Sequence, residues 1–277
     1  MKVVLFCGGM GFRIRDNVQD TPKPMIVVGD RPILFHIMKY YASYGHTEFI
    51  LCLGYKGHLI KEYFLGYKDA LHDDFVLSDG GRTIEVLHND IADWRITFVE
   101  TGLHANIGER LKRVQPYIGD DEHFLANYAD VLTDAPLPDM IERLTTRRKV
   151  ASFLCVRPRY TFHVVTVDSE QQVSSIDHVS EASIWINGGY FVFSRDIFDY
   201  LRLGEDLVAQ PFNRLVCDRQ LLAYQHEGFW APMDTFKDHQ VIQSMYESGL
   251  RPWAVWENGQ SVAAGAGTAV VASAAGA

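Results

Sequence analysis

No apolar run in this 277-residue chain approaches the length needed to cross a bilayer. Met1 and Lys2 lead directly into strand-like residues, with no charged and apolar leader before them, so the expected location is the cytoplasm. Basic residues are in deficit: 26 Lys and Arg stand against 35 Asp and Glu, a formal charge of −9. That balance argues against nucleic acid or an anionic membrane as partner, so an anionic ligand is expected to be small and met locally. Cysteine is scarce, and Cys7, Cys52, Cys155 and Cys217 are widely spaced without a CxxC pair. Three of them lie in apolar runs, which suits reduced core thiols better than zinc ligands or a disulfide framework. The chain does have apolar mass, 47% of its residues, enough for a sizeable core.

The most informative stretch is VVLFCGGMGFRIRDNVQDTPKP, residues 3–24. Residues 3–7 are apolar without a break and carry β-branched and aromatic side chains, which suits a strand buried on both faces of a parallel sheet. Gly8, Gly9 and Gly11 follow, where a chain leaving a strand needs positive φ or room for a ligand to approach the backbone. Arg13 and Arg15 add fixed positive charge, and Lys23 is held on a stiff segment between Pro22 and Pro24. These features point to phosphate. Against a dinucleotide fingerprint, Ile14 stands where the third glycine belongs, and against a P-loop, no Gly-Lys is followed by Ser or Thr. A purely structural turn is the plain alternative for the glycines, and the three nearby cations argue against it.

Beyond Lys23 the pattern alternates strand and helix. Pro32 opens a predicted helix on which Ile33, Ile37, Tyr40, Tyr41 and Tyr44 recur at helical spacing, and Gly45 stops it. Residues 49–53 read as a strand, 60–64 as a short helix, 83–87 as part of a hairpin and 96–99 as a strand. Leu111, Val114 and Ile118 mark a helix starting at 106–110. The strand at 124–127 runs into Asp130, the place where α/β enzymes set a metal-binding carboxylate. A helix follows at 140–147, its basic end most simply solvated and favoured by the helix dipole. After residue 151 strands become short and frequent (153–156, 164–167, 173–176, 190–193), with helices at 197–201 and 212–216, and the stretches 221–224 and GFWAPMD precede a last helix at 236–246. Residues 258–277 hold only small and apolar residues with Asn and Gln, and are expected to be disordered.

The segments CGGMGFRIRDNVQDTPKPMIVVGDRPILFHIMKYYASYGH, ILCLGYKGHLIKEYF, DWRITFVETG, GERLKRV, WINGGYFVF, GFWAPMDTFKD and PWAVWE occur in that order. Together they resemble the sugar-1-phosphate nucleotidylyltransferases, cytidylyltransferases above all. The resemblance implies an α/β fold with a Rossmann-like, mostly parallel sheet flanked by helices and a C-terminal α+β sugar-binding portion. It also implies one catalytic unit over 1–257, with 1–150 mainly for nucleotide and 151–257 mainly for sugar and for homo-oligomer contacts. The substrates implied are a nucleoside triphosphate, CTP in particular, and a sugar 1-phosphate, with Mg2+ as cofactor.

Residue by residue, the resemblance makes Arg13 and Lys23 catalytic, Arg13 on the departing pyrophosphate and Lys23 at the α-phosphorus. Cys7, Gly8, Gly9, Met10, Gly11, Phe12, Arg110 and Asp130 would meet the nucleotide. Gly102, His178, Asn187 and Gly188 would meet the sugar phosphate, and Asp130 with Asp234 would hold the metal. Structural alternatives are a helix cap for Asp234, a surface charge for Arg110 and a tight turn for Asn187 to Gly189. The chain departs from the family pattern at Phe12, where threonine is usual, and at Ala129 and Val131, where glycines are common. Asp177, His178 and Val179 replace a Glu-Lys-Pro triplet, Gln210 stands where glutamate is common, and Arg31 replaces a lysine. These departures motivate a second hypothesis, a binding protein of the same fold without turnover.

Overall fold

The computed structural model describes residues 1–9, 21–87, 89–158, 162–179 and 183–257. β1 (Val3–Phe6) is buried along its whole length because alternate side chains enter apolar clusters on opposite faces. Val3 and Leu5 go to one cluster, Val4 and Phe6 to the other. A 3-10 turn at Lys23–Met25 leads to a short ribbon, β2 (Val27–Val28) with β3 (Arg31–Pro32), and then to α1 (Ile33–Ser43). Pro32 is extended and immediately precedes the helix rather than lying within its first turn.

The alternation continues through β4 (Glu48–Leu53), α2 (Gly57–Leu65), the hairpin of β5 (Phe75–Ser78) with β6 (Thr83–Val86), and β7 (Arg95–Glu100). α3 (Ile107–Ile118) starts with a capping box in which Asn106 and Glu109 satisfy each other's backbone amides. β8 (His123–Asn127), β9 (Val131–Thr133), α4 (Leu137–Arg147) and β10 (Ala151–Val156) follow. A second hairpin, β11 (His163–Val167) with β12 (Val173–His178), precedes β13 (Ile186–Ser194). The chain closes with α5 (Ile197–Tyr200), α6 (Gln210–Cys217), β14 (Leu221–His226), β15 (Trp230–Pro232) and α7 (Phe236–Glu247).

Seven strands form one sheet in the order β14, β10, β13, β8, β1, β4, β7. β13 alone runs against its neighbours β8 and β10, and the other pairings are parallel. The fold class expected from the sequence is therefore observed: a mostly parallel sheet covered by helices on both faces. α1 and α4 pack on one face, α3, α5 and α6 on the other. Because β13 is reversed, its first residues meet the last residues of β8, with Tyr190 opposite Asn127. That reversal brings Asn187 and Gly188 to the carboxyl ends of β1 and β8.

α7 and the residues after it close over the outer side of α1. Gly29 N donates to Gln243 Oε1, the Tyr246 hydroxyl to Asp30, and His36 lies edge-on to buried Trp253. This cover explains why α1 is buried nearly all round. Cys7, Cys52 and Cys155 are buried thiols and Cys217 is exposed, with no disulfide. No helix among the described residues is long and apolar enough to cross a membrane. The tail 258–277 lies outside the described residues.

Candidate active site

The site is built where β1 and β8 end. Chain leaving β8 turns through Tyr128 and Ala129 to Asp130, and β9 then pairs with β15, with Val131 opposite Pro232. Met233 N donates to the Asp130 carbonyl at 2.9 Å, which carries Asp234 to the side of Asp130. Helix α7 is capped by Thr235 with Asp238, so Asp234 is free of the capping role that its position before a helix suggested. Lys23 enters from the 3-10 turn, preceded by extended Pro22. Its Nζ lies 2.6 Å from Asp234 Oδ1 and 3.4 Å from Asp130 Oδ2. Three residues separated by more than a hundred positions thus meet at one ammonium group.

Their ionisation is mutually adjusted. Burial pushes the Asp130 carboxyl up to about 6, against the lowering by the Lys23 ammonium and with a further rise from Asp234. For Lys23, burial pulls downward, but Asp130's charge and the bond to Asp234 outweigh it and the net shift is upward. Cys7 is buried beside the cleft and burial holds its thiol protonated, so it lines the site without acting as a nucleophile.

The cleft around these groups has a volume of about 400 Å³. Of the residues predicted for the site, Cys7, Gly9, Lys23, Asp130, Asn187, Gly188 and Asp234 line it together. Asn187 also folds its own turn: Oδ1 accepts from Gly189 N at 2.9 Å, and Nδ2 donates to the Tyr128 hydroxyl at 3.0 Å. The segment is not a tight turn before a strand but the start of β13 itself, kinked at Gly189 with φ +78°, and it lies on the cleft.

Other expectations resolve differently. Arg110 is only 2% exposed, so it is not a surface charge. Its guanidinium donates to the carbonyls of Gly8 (2.9 Å) and Leu53 (3.2 Å) and to Thr101 Oγ1 (2.7 Å), bracing the start of the glycine-rich segment from behind. A Cβ on Gly8 would stand 1.9 Å from Arg110 Nη1, so glycine there makes room for the brace. Gly102 and His178 are not among the residues lining the cleft. Gly102 has φ +91° and adjoins buried Thr101, and His178 sits on β12 with its ring 5.4 Å from that of His163. Arg31 lies elsewhere too, donating to the Tyr67 hydroxyl and the His72 carbonyl over the Phe35 ring. Met10, Gly11, Phe12, Arg13 and Arg15 lie outside the described residues.

Phe6, Tyr128 and Trp230 line the cleft without having been named for the site, and two of them make hydrogen bonds there. Tyr128 holds Asn187, and Trp230 Nε1 donates to the Gly188 carbonyl at 2.9 Å. The signal for Trp230 lay in GFWAPMD, where a tryptophan stands four residues before Asp234.

A family model described as "Nucleotidyl transferase" matches residues 2–246. The chain belongs to the nucleotidyl transferase family. It is similar to the glucose-1-phosphate cytidylyltransferase of Salmonella typhi, 36% identical over 259 residues that cover 93% of this chain and all of the relative. It is also 28% identical over 213 residues to the D-glycero-alpha-D-manno-heptose 1-phosphate guanylyltransferase of Campylobacter jejuni, covering 76% of this chain and 84% of the relative. Among solved structures, the UTP-bound UGPase from Acinetobacter baumannii superposes with a TM-score of 0.65 at 18% identity, covering 95% of this chain and 98% of that one. The last likeness concerns the fold. As a nucleotidyl transferase, the chain has its assembled charged groups where the sheet's strands end, the usual ligand position of an open α/β sheet.

Proposed function

We propose that this enzyme transfers the cytidylyl group of CTP to glucose 1-phosphate, giving CDP-glucose and pyrophosphate in the cytoplasm. The observation that carries the reading is Lys23 held between Asp130 and Asp234 in a cleft at the end of β1. The choice of CTP and glucose 1-phosphate is supported by the Salmonella typhi relative. In the reaction a phosphate oxygen of the sugar 1-phosphate bonds to the α-phosphorus, and the bond to the β-phosphate breaks with its electron pair leaving on pyrophosphate. Lys23 is placed to neutralise charge on the oxygens of the α-phosphorus, and Arg13, by resemblance, the charge that builds on pyrophosphate. By resemblance the glycine-rich segment leaving β1 meets the same anion; Gly9 lines the cleft, and Arg110 holds the Gly8 carbonyl.

The donor set also fits a divalent cation. Asp130 and Asp234 both lie within hydrogen-bond reach of one ammonium, so one small cation can meet both, and two hard oxygen ligands completed by water and phosphate suit Mg2+. Among the described residues no group of three or more His, Cys, Asp or Glu forms a closed metal cage. Such an ion, when bound, supplies neutralisation of the triphosphate. Asn187, Gly188, Tyr128 and Trp230 form the wall proposed to receive the sugar, with 1–150 mainly serving the nucleotide and 151–257 mainly the sugar. A homo-oligomer is part of the proposal, supported by the apolar side chains that both hairpins expose.

The test is pyrophosphate release by the purified protein with Mg2+, across five nucleoside triphosphates and a panel of sugar 1-phosphates. Release confined to CTP with glucose 1-phosphate is expected. Release with another pair would reassign the substrates, and silence throughout with CTP bound would favour a binding protein.

A further inference from the structure

Asn127 is the last residue of β8 and is completely buried, opposite Tyr190 of β13. Its side-chain Oδ1 accepts a hydrogen bond from Ala129 N at 2.6 Å. Ala129 has φ +62°, the left-handed conformation that a Cβ disfavours and that glycine would adopt freely. Asp130 is the next residue, and its own carbonyl is tied to Met233 N. The turn that presents Asp130 is therefore fastened on both sides, by β15 beyond it and by Asn127 before it.

The amide is held from its other end as well. The buried side chains of Tyr41 and Tyr190 engage it, and Tyr190 stands opposite Asn127 in the pairing of β13 with β8. An amide fixed in this way is suited to hold Ala129, whose left-handed conformation requires an external hold.

We propose that Asn127 is a positioning residue: its amide oxygen latches Ala129 in the left-handed conformation and so aims the Asp130 carboxylate at Lys23 and at the cation. The inference rests on the reading of Asp130 as a cation ligand. It assigns to one buried side chain, in contact with neither substrate, control over how well the site binds metal.

The test is Mn2+ binding in the presence of CTP, followed by electron paramagnetic resonance well below the melting temperature, with Asp130→Asn as reference. Asn127→Thr and Asn127→Val are nearly isosteric and differ in whether an acceptor remains. Asn127→Val is expected to bind Mn2+ about tenfold more weakly, the usual scale for losing a partner behind a metal ligand, and Asn127→Thr within about threefold of the unmodified protein. Ala129→Gly on the Val background should restore most of the loss, because glycine holds the turn without the latch. Equal Mn2+ affinity in the Thr and Val variants, with Asp130→Asn still abolishing binding, would overturn the latch and leave the proposed function standing. Unchanged affinity in Asp130→Asn itself would remove the cation reading and the latch with it. Should Asn127→Val prove insoluble, Asn127→Val with Ala129→Gly takes its place, where insolubility again would show a packing role and overturn the proposal.

Discussion

The cleft and the two hairpins treat exposed chemistry in opposite ways. At the cleft, charge is drawn inward and matched: Lys23 meets two carboxylates and Arg110 is surrounded by carbonyl oxygens and a hydroxyl. In the hairpins, apolar side chains are turned outward. Leu77 faces Ile84 across the first, and Val165 faces Ile176 across the second, with Leu77 58% and Ile176 63% exposed. Neither hairpin joins the seven-stranded sheet. A two-stranded ribbon is marginal by itself and gains from cover on its apolar face. The difference separates two kinds of surface: the cleft's charged groups find partners within the chain, while the ribbons leave apolar side chains exposed.

The sharpest way to break the comparison is at the cleft. Lys23→Ala and Asp234→Asn should each lower the rate of pyrophosphate release by about a thousandfold or more, the scale on which single stabilising groups act on developing charge. Both variants should melt near the unmodified protein, since the changed groups lie at the cleft surface. Full turnover in both would move the chemistry out of this cleft.

Gly8 and Gly9 give the next largest effect and a contrast between neighbours. A Cβ on Gly8 meets the anchored Arg110 guanidinium, whereas one on Gly9 has nothing within 4 Å. Gly8→Ala should cost about 1–3 kcal/mol by urea unfolding, as overpacking does, and Gly9→Ala far less. Equal stability of the two would show that Arg110 yields. Smaller again is Trp230→Phe, which leaves the Gly188 carbonyl without its donor. A lost neutral hydrogen bond is worth about 1 kcal/mol, so the KM for the sugar phosphate should rise about fivefold with kcat little changed. A fall in kcat alone would place Trp230 on the reacting phosphate instead.

Much of this was legible in the sequence for a physical reason. An unbroken apolar run of five residues such as 3–7 suits a strand buried on both faces, and Asp130 stands shortly after the buried strand β8, so its place at a strand end could be read from the alternation of elements. What could not be read was contact across the chain. That Lys23 bridges two carboxylates depends on the pairing of β15 with β9. Arg110, following a capping box on an amphipathic helix, has the sequence context of a surface charge. Only the missing side chains of Gly8 and Gly54, distant in sequence, open the space its guanidinium fills. His178 stands where the resemblance implies a sugar-phosphate contact, yet among the described residues β12 pairs with β11 and is not part of the cleft wall.

The smallest expected effect on the folded chain, and the one that sharpens the comparison most, is in the ribbons. Ile176→Thr keeps β-branching and Leu77→Thr introduces it, so both suit a strand while reducing apolar area on exposed faces. If those faces are bare in a single chain, each substitution should change stability by less than about 0.5 kcal/mol in dilute solution, where a surface site has little to lose. The same pair at higher concentration should lower the sedimentation coefficient if the ribbons supply the homo-oligomer's contacts, because two apolar residues per copy leave the interface. Unchanged sedimentation with full activity would assign the contacts to another surface. A stability loss of about 2 kcal/mol or more in dilute solution would mean that the ribbons are covered within the chain, and the contrast with the cleft would then dissolve.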